Sequence, residues 1–211
     1  MTELAGGAAP PLDPALWLGM LQRLAGRAAH EVKNSLNGVA VNLEVVRSRA
    51  ARPGATAESV SRFAEAASEQ LERLTAQTEA LLALMRPPRE QCDVALVARA
   101  LEVLVGGLLV GGSESPVFVV EGAGSAPTAA RPELVRLVLG EIALAAIEGA
   151  SPVRLAVVAE DGRVEVVVRG EHGPPSALTP AMRALADDGN VRTAQRDGAL
   201  VLVLPAAGEK R

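Results

Sequence analysis

The sequence predicts an α+β protein: an antiparallel helical hairpin followed by a two-layer sandwich of helices on a mostly antiparallel sheet. Three observations predict it. Residues 13–86 hold two long apolar periodicities of helical spacing, separated only by Arg52-Pro53-Gly54-Ala55-Thr56, which is turn chemistry. Arg86-Pro87-Pro88-Arg89 then interrupts the chain, because consecutive prolines cannot continue a helix. Beyond it, apolar helices alternate with short β-branched runs, and runs of helices and strands of this kind indicate an α+β sandwich. The expected division is a loose tail over 1–12, the hairpin over 13–86 and the sandwich over 91–206.

The first helix starts at Asp13-Pro14, where Asp is a good N-cap and Pro fits the first helical position. It runs to about residue 51. At roughly 100° per residue, Trp17, Leu21, Leu24, Ala28, Val32, Leu36, Val39, Leu43 and Val46 gather on one side. His30 falls close to the opposite side, with Arg23, Arg27, Lys33, Asn34 and Asn37 around it and Glu31 on the flank. The second helix carries Val60, Phe63, Ala67, Leu71, Leu74, Thr78, Leu81 and Met85 in steps of three and four, a heptad-like seam that ends before Pro87. A hairpin alone has too few layers to bury both seams, so a homodimer forming a four-helix bundle is expected. The alternative is that the C-terminal half covers them within one chain.

In the second half, Asp93 caps a helix over 94–109, and Gly111-Gly112-Ser113 ends it. Residues 116–121 form a short buried strand. Pro132 opens an apolar helix to residue 149. Strands over 153–159 and 164–169 are joined by Glu160-Asp161-Gly162-Arg163, and strands over 191–194 and 200–204 by Gln195-Arg196-Asp197-Gly198. A short helix is expected over 179–187.

Composition bounds the function. The chain is 49% apolar with two Phe, one Trp and no Tyr, so its core is aliphatic and offers no aromatic platform for bases. A net charge of −4 gives no general attraction to nucleic acid. Cys92 is the single cysteine, which excludes an internal disulfide framework and a cysteine-based metal site. No apolar run reaches the roughly 18–20 residues of a membrane span, and residues 1–14 lack the basic and apolar regions of a signal peptide. A cytosolic location is therefore expected. No triad, Walker loop or zinc spacing is present, so no bound metal is expected.

The stretch His30-Glu31-Val32-Lys33-Asn34-Ser35-Leu36 resembles the phosphoacceptor motif of sensor histidine kinases, His-Glu-x-x-Asn-Pro-Leu, with Ser35 in place of proline. The element order of the second half is similar to the ATP-binding domain of those kinases, the Bergerat (GHKL) fold. The resemblance spans the chain from residue 14. It implies that His30 accepts a phosphoryl group and that Glu31 orients the imidazole or takes its proton; Lys33, Arg27 and the Asn34 amide, about one turn from His30, are placed to compensate phosphoryl charge.

The ATP-binding features of that family are degenerate here. Ala145 stands where an Asn would help bind Mg²⁺ and the triphosphate, and a methyl group cannot coordinate a hard cation. Glu171-His172-Gly173-Pro174-Pro175 stands where Asp-x-Gly-x-Gly would hold adenine, with Glu171 for the acid and Pro175 for a glycine. The Gly-rich lid that would cradle phosphates is missing before Pro205. His172 itself reads as a solvated loop residue.

A phosphoacceptor without an ATP site resembles the histidine phosphotransferases of bacterial phosphorelays. The resemblance implies transfer between His30 and aspartates of response-regulator receiver domains, with no tightly held cofactor. Mg²⁺ would come with the receiver, and Arg23, Arg27, Lys33 and Asn37 would form the partner-binding face. Two alternatives stay open: a non-catalytic pseudokinase that inhibits a kinase or regulator, and a divergent active kinase or phosphatase.

Overall fold

The computed structural model describes residues 13–86, 92–108, 118–122, 124–149, 152–170 and 191–208. Two helices, α1 (Pro14–Ala50) and α2 (Ala57–Met85), form the hairpin. They are followed by β1 (Cys92–Asp93), α3 (Val94–Leu108), β2 (Phe118–Gly122), β3 (Pro127–Thr128), α4 (Pro132–Gly149), β4 (Val153–Glu160), β5 (Arg163–Gly170), β6 (Arg192–Arg196) and β7 (Ala199–Pro205). The α+β architecture is the expected one.

Each helix starts where its cap dictates. Asp13 Oδ1 accepts from Ala15 N at 2.9 Å, and Thr56 Oγ1 accepts from Ser59 N at 3.3 Å. The turn of the hairpin is tied by Arg49, whose guanidinium donates to Ser59 O and lies 4.6 Å from the centroid of Phe63. Deeper in the pair, Asn42 donates to Gln70 Oε1 at 3.4 Å beside Gly38, where a Cβ would lie 2.8 Å from the Gln70 amide. Glycine there lets the two helices approach around a polar contact.

A five-stranded mixed sheet has the order β2-β4-β5-β7-β6. Among the described strands only β2 and β4 pair in parallel, and α4 is the crossover between them. The hairpins β4–β5 and β6–β7 turn on Asp161-Gly162 and Asp197-Gly198, all four with positive φ. That is the backbone of a type I′ turn, which suits the twist of paired strands and explains both Asp-Gly signals. β4 and β5 bury alternate residues (Val153, Leu155 and Val157; Val164, Val166 and Val168), so one face of the sheet packs under α3 and α4.

The structure adds β1 and β3, a two-residue antiparallel ladder too short to leave a periodic pattern. Asp93 is its junction. Its carboxylate accepts from Ala95 N and Leu96 N at the start of α3, and from Ala126 N and Ser125 Oγ across the ladder. Burial pushes the Asp93 carboxyl up, but the bonds from Ser125, Ala126, Leu96 and Ala95 outweigh it and hold the group below its ordinary value of 3.8. Cys92 beside it is buried, which pushes its thiol up to about 11, so it stays protonated and unreactive at neutral pH. The expected tail over 1–12, the linker prolines, residues 116–117 of the expected strand, the Gly111–Ser113 break and the helix over 179–187 lie outside the described residues.

The core is continuous from hairpin to sheet. Met20, Leu24 and Ala28 of α1 and Ala80 and Leu84 of α2 belong to the same buried cluster as α3, α4 and the strands. The lower third of the hairpin thus forms a further layer over the two helices. Arg136 of α4 adds a polar tie by donating to Leu84 O and Arg86 O, the carbonyls left open at the end of α2.

Candidate functional site

Ala28 is the last buried residue of α1, and His30 follows it as an exposed side chain. The helix enters solvent on that face just above the place where it leaves the core. Lys33, Asn34 and Asn37 are exposed along the following two turns, Arg27 is exposed one turn before, and Glu31 is half-buried. Residues three and four apart on a helix are neighbours, so Arg27, Lys33 and Asn34 surround His30 at about one turn's distance. The structure therefore presents an imidazole to solvent among cations and an amide, on a helix whose opposite side is anchored.

Arg23 departs from this group. Its guanidinium is in an ion pair with Glu141 of α4, and its other terminal nitrogen is 3.8 Å from Glu148. Glu141 is only 15% exposed, so part of the pair is shielded from water. One step away Met20 seats on Gly140, where a Cβ would lie 2.5 Å from the Met20 sulfur. Arg23, expected among the partner-binding residues, is thus exposed but already paired with carboxylates of α4. Glu141, Glu148 and Met20 were not singled out from the sequence. The one available signal was Gly140 inside an otherwise apolar helix, a mark of close packing.

On α4, Ile142, Ala143, Leu144 and Ala146 are buried, and Ala145 is half-buried. Where α4 packs on the sheet, the void lined by Val94, Leu134, Val135, Val138, Leu139, Val166, Val191, Leu202 and Leu204 has a volume of about 10 Å³. That is room for about one water. Glu171, His172 and Pro175 lie outside the described residues. Among the described residues, no three His, Cys, Asp or Glu side chains gather as a metal site, and no helix is long and apolar enough to cross a membrane.

The apolar side of the hairpin divides in two. Leu24 and Leu74 are buried within the chain, whereas Leu36 and Leu43 of α1 are 50% and 53% exposed, and Leu71 and Met85 of α2 are each 54% exposed. The exposed leucines of α1 are seven residues apart, and Leu71 and Met85 fourteen, the step of a helical seam. His30 lies about 140° around α1 from Leu43 at 100° per residue.

No family model matches the sequence, and no curated protein matches it. Among solved structures, the chain is similar to the histidine kinase ThkA from a complex with the response regulator TrrA: 17% identity, TM-score 0.43, covering 92% of this chain. The chain spans 64% of the length of that kinase. A bacterial phosphotransferase is similar over 95% of this chain and 100% of its own, at 18% identity and TM-score 0.40. The histidine kinase AdeS of Acinetobacter baumannii is similar over 85% of this chain and 98% of its own, at 12% identity and TM-score 0.38.

Proposed function

We propose that the chain is a histidine phosphotransferase of a two-component phosphorelay, passing a phosphoryl group between His30 and an aspartate of a receiver domain. The observation that carries the reading is the exposed His30, flanked by Arg27, Lys33 and Asn34 on a helix anchored from below. One imidazole nitrogen attacks the phosphorus of the aspartyl phosphate. A P–N bond forms as the P–O bond to the receiver breaks, and the aspartate leaves as carboxylate. The imidazolium proton passes to Glu31 or to water. Arg27, Lys33 and the Asn34 amide offset charge on the equatorial oxygens, and transfer of this kind needs mainly such positioning. Return of the group reverses each step.

Ala145 offers no oxygen ligand where the resembled kinases carry an Asn for Mg²⁺, which supports a source of phosphate other than ATP. The reading therefore takes phosphate from a receiver and assigns the chain no resident cofactor. The exposed stripe of Leu36, Leu43, Leu71 and Met85 supports a homodimer through a four-helix bundle. In it, both His30 faces would point away from the seam.

The test is transfer from a phosphorylated receiver domain to the native chain and to His30→Ala. Acid-labile, base-stable label on the native chain alone is the expected result. Stable binding to receivers without any label would replace the reading with that of an inhibitory pseudokinase.

A further inference from the structure

Four of the side chains expected to greet a partner lie along one side of α1, yet one is spoken for. Arg23 and His30 are seven residues apart, two turns and about 10 Å along the axis. Arg27 lies between them. Both arginines are exposed, but Arg23 also meets Glu141 and Glu148, which α4 brings up beside it. Met20 seated on Gly140 keeps α4 from sliding away, so the carboxylates stay level with Arg23.

Resting on the phosphotransferase reading, we propose that Glu141 and Glu148 withhold Arg23 from the receiver and so limit its affinity. A receiver's acidic rim meets Arg27 and Lys33 beside His30. To recruit Arg23 as well, it must displace the shielded Glu141 carboxylate, which is held by geometry and not by diffusion. The chain keeps a cation in reserve, and the bound receiver leaves faster than the count of basic residues suggests. A relay protein that must release each partner after transfer benefits from a raised off-rate.

Two measurements test this. The first needs no partner: modification of the native chain by phenylglyoxal, with sites quantified by mass spectrometry. Arg23 is expected to react several-fold more slowly than Arg27, and the two to react alike in Glu141→Gln/Glu148→Gln. Equal reactivity in the native chain would overturn the proposal, whatever becomes of the phosphotransfer reading.

The second measures the dissociation constant of a receiver domain that exchanges phosphate with His30. Glu141→Gln/Glu148→Gln is expected to bind about fivefold more tightly at low salt, close to 1 kcal/mol, with the gain lost at high salt. Adding Arg23→Gln should remove most of that gain, while Arg23→Gln alone should change affinity less than twofold. If Arg23→Gln alone weakens binding as much as Arg27→Gln, Arg23 is an ordinary contact residue and the proposal fails. Absence of any transfer to His30 with Arg23 still protected would refute the phosphotransferase reading and leave the withheld cation standing.

Discussion

Replacing Gly140 by alanine tests whether the phosphoacceptor helix and the sheet share one core. In an open helix the change should stabilise the fold by roughly 1 kcal/mol, since alanine is the better helix former. Here the new Cβ would lie 2.5, 2.9 and 3.3 Å from Sδ, Cε and Cγ of Met20, a side chain only 2% exposed. The sulfur must retreat by about 1 Å into packed surroundings, and overpacking of this kind costs about 1–3 kcal/mol. A net loss of about 1 kcal/mol is expected, or a fall of roughly 2–4 °C in Tm for a chain of this size. Met20→Ala alone should cost about 2–5 kcal/mol through the cavity it leaves. In that background Gly140→Ala meets no sulfur and should raise stability, giving a coupling of about 2 kcal/mol in a double-mutant cycle by chemical denaturation. If Gly140→Ala raises Tm equally with and without Met20, α1 does not seat on α4, and the account of Arg23 falls with it.

Two further predictions rest on separate parts of the molecule. The Asp93 carboxyl is held below 3.8, so its contribution to stability is full above that value and is lost as pH falls through the lower folded value. The urea midpoint should drop below pH 3.8, and Asp93→Ala should lower stability by about 1–2 kcal/mol at neutral pH while flattening that acid limb. An unchanged acid limb would show that Asp93 is not the responsible group. Leu43→Glu with Leu71→Glu places charges in the exposed apolar stripe. Sedimentation should show the native chain at twice the monomer mass and the variant dissociating on the order of a hundredfold more readily, as unpaired charge in a seam costs several kcal/mol. A native chain that sediments as a monomer would refute the bundle.

Much of the secondary structure was legible because its causes are local. Asp13-Pro14, Thr56 and Asp93 accept from backbone N–H groups within three residues, and each Asp-Gly pair adopts positive φ by itself. The β1–β3 ladder was not legible, since two residues carry no period and its pairing joins positions 92 and 128. The helical seams were legible only as one stripe. A period of 3.6 says that Leu24 and Leu43 share a side, but not that Leu24 is buried in the core shared with the second half while Leu43 faces solvent.

The candidate site divides in the same way. The order of residues along α1 was enough to bring His30, Arg27, Lys33 and Asn34 together, because neighbours three and four apart on a helix meet whatever the rest of the chain does. The sequence also put a methyl group at Ala145. Only the tertiary structure set Arg23 apart, since its partner Glu141 lies 118 residues away, on a helix that approaches because Gly140 leaves room for Met20. Local spacing determines which side chains share a face. Long-range packing decides which of them remain available to another molecule.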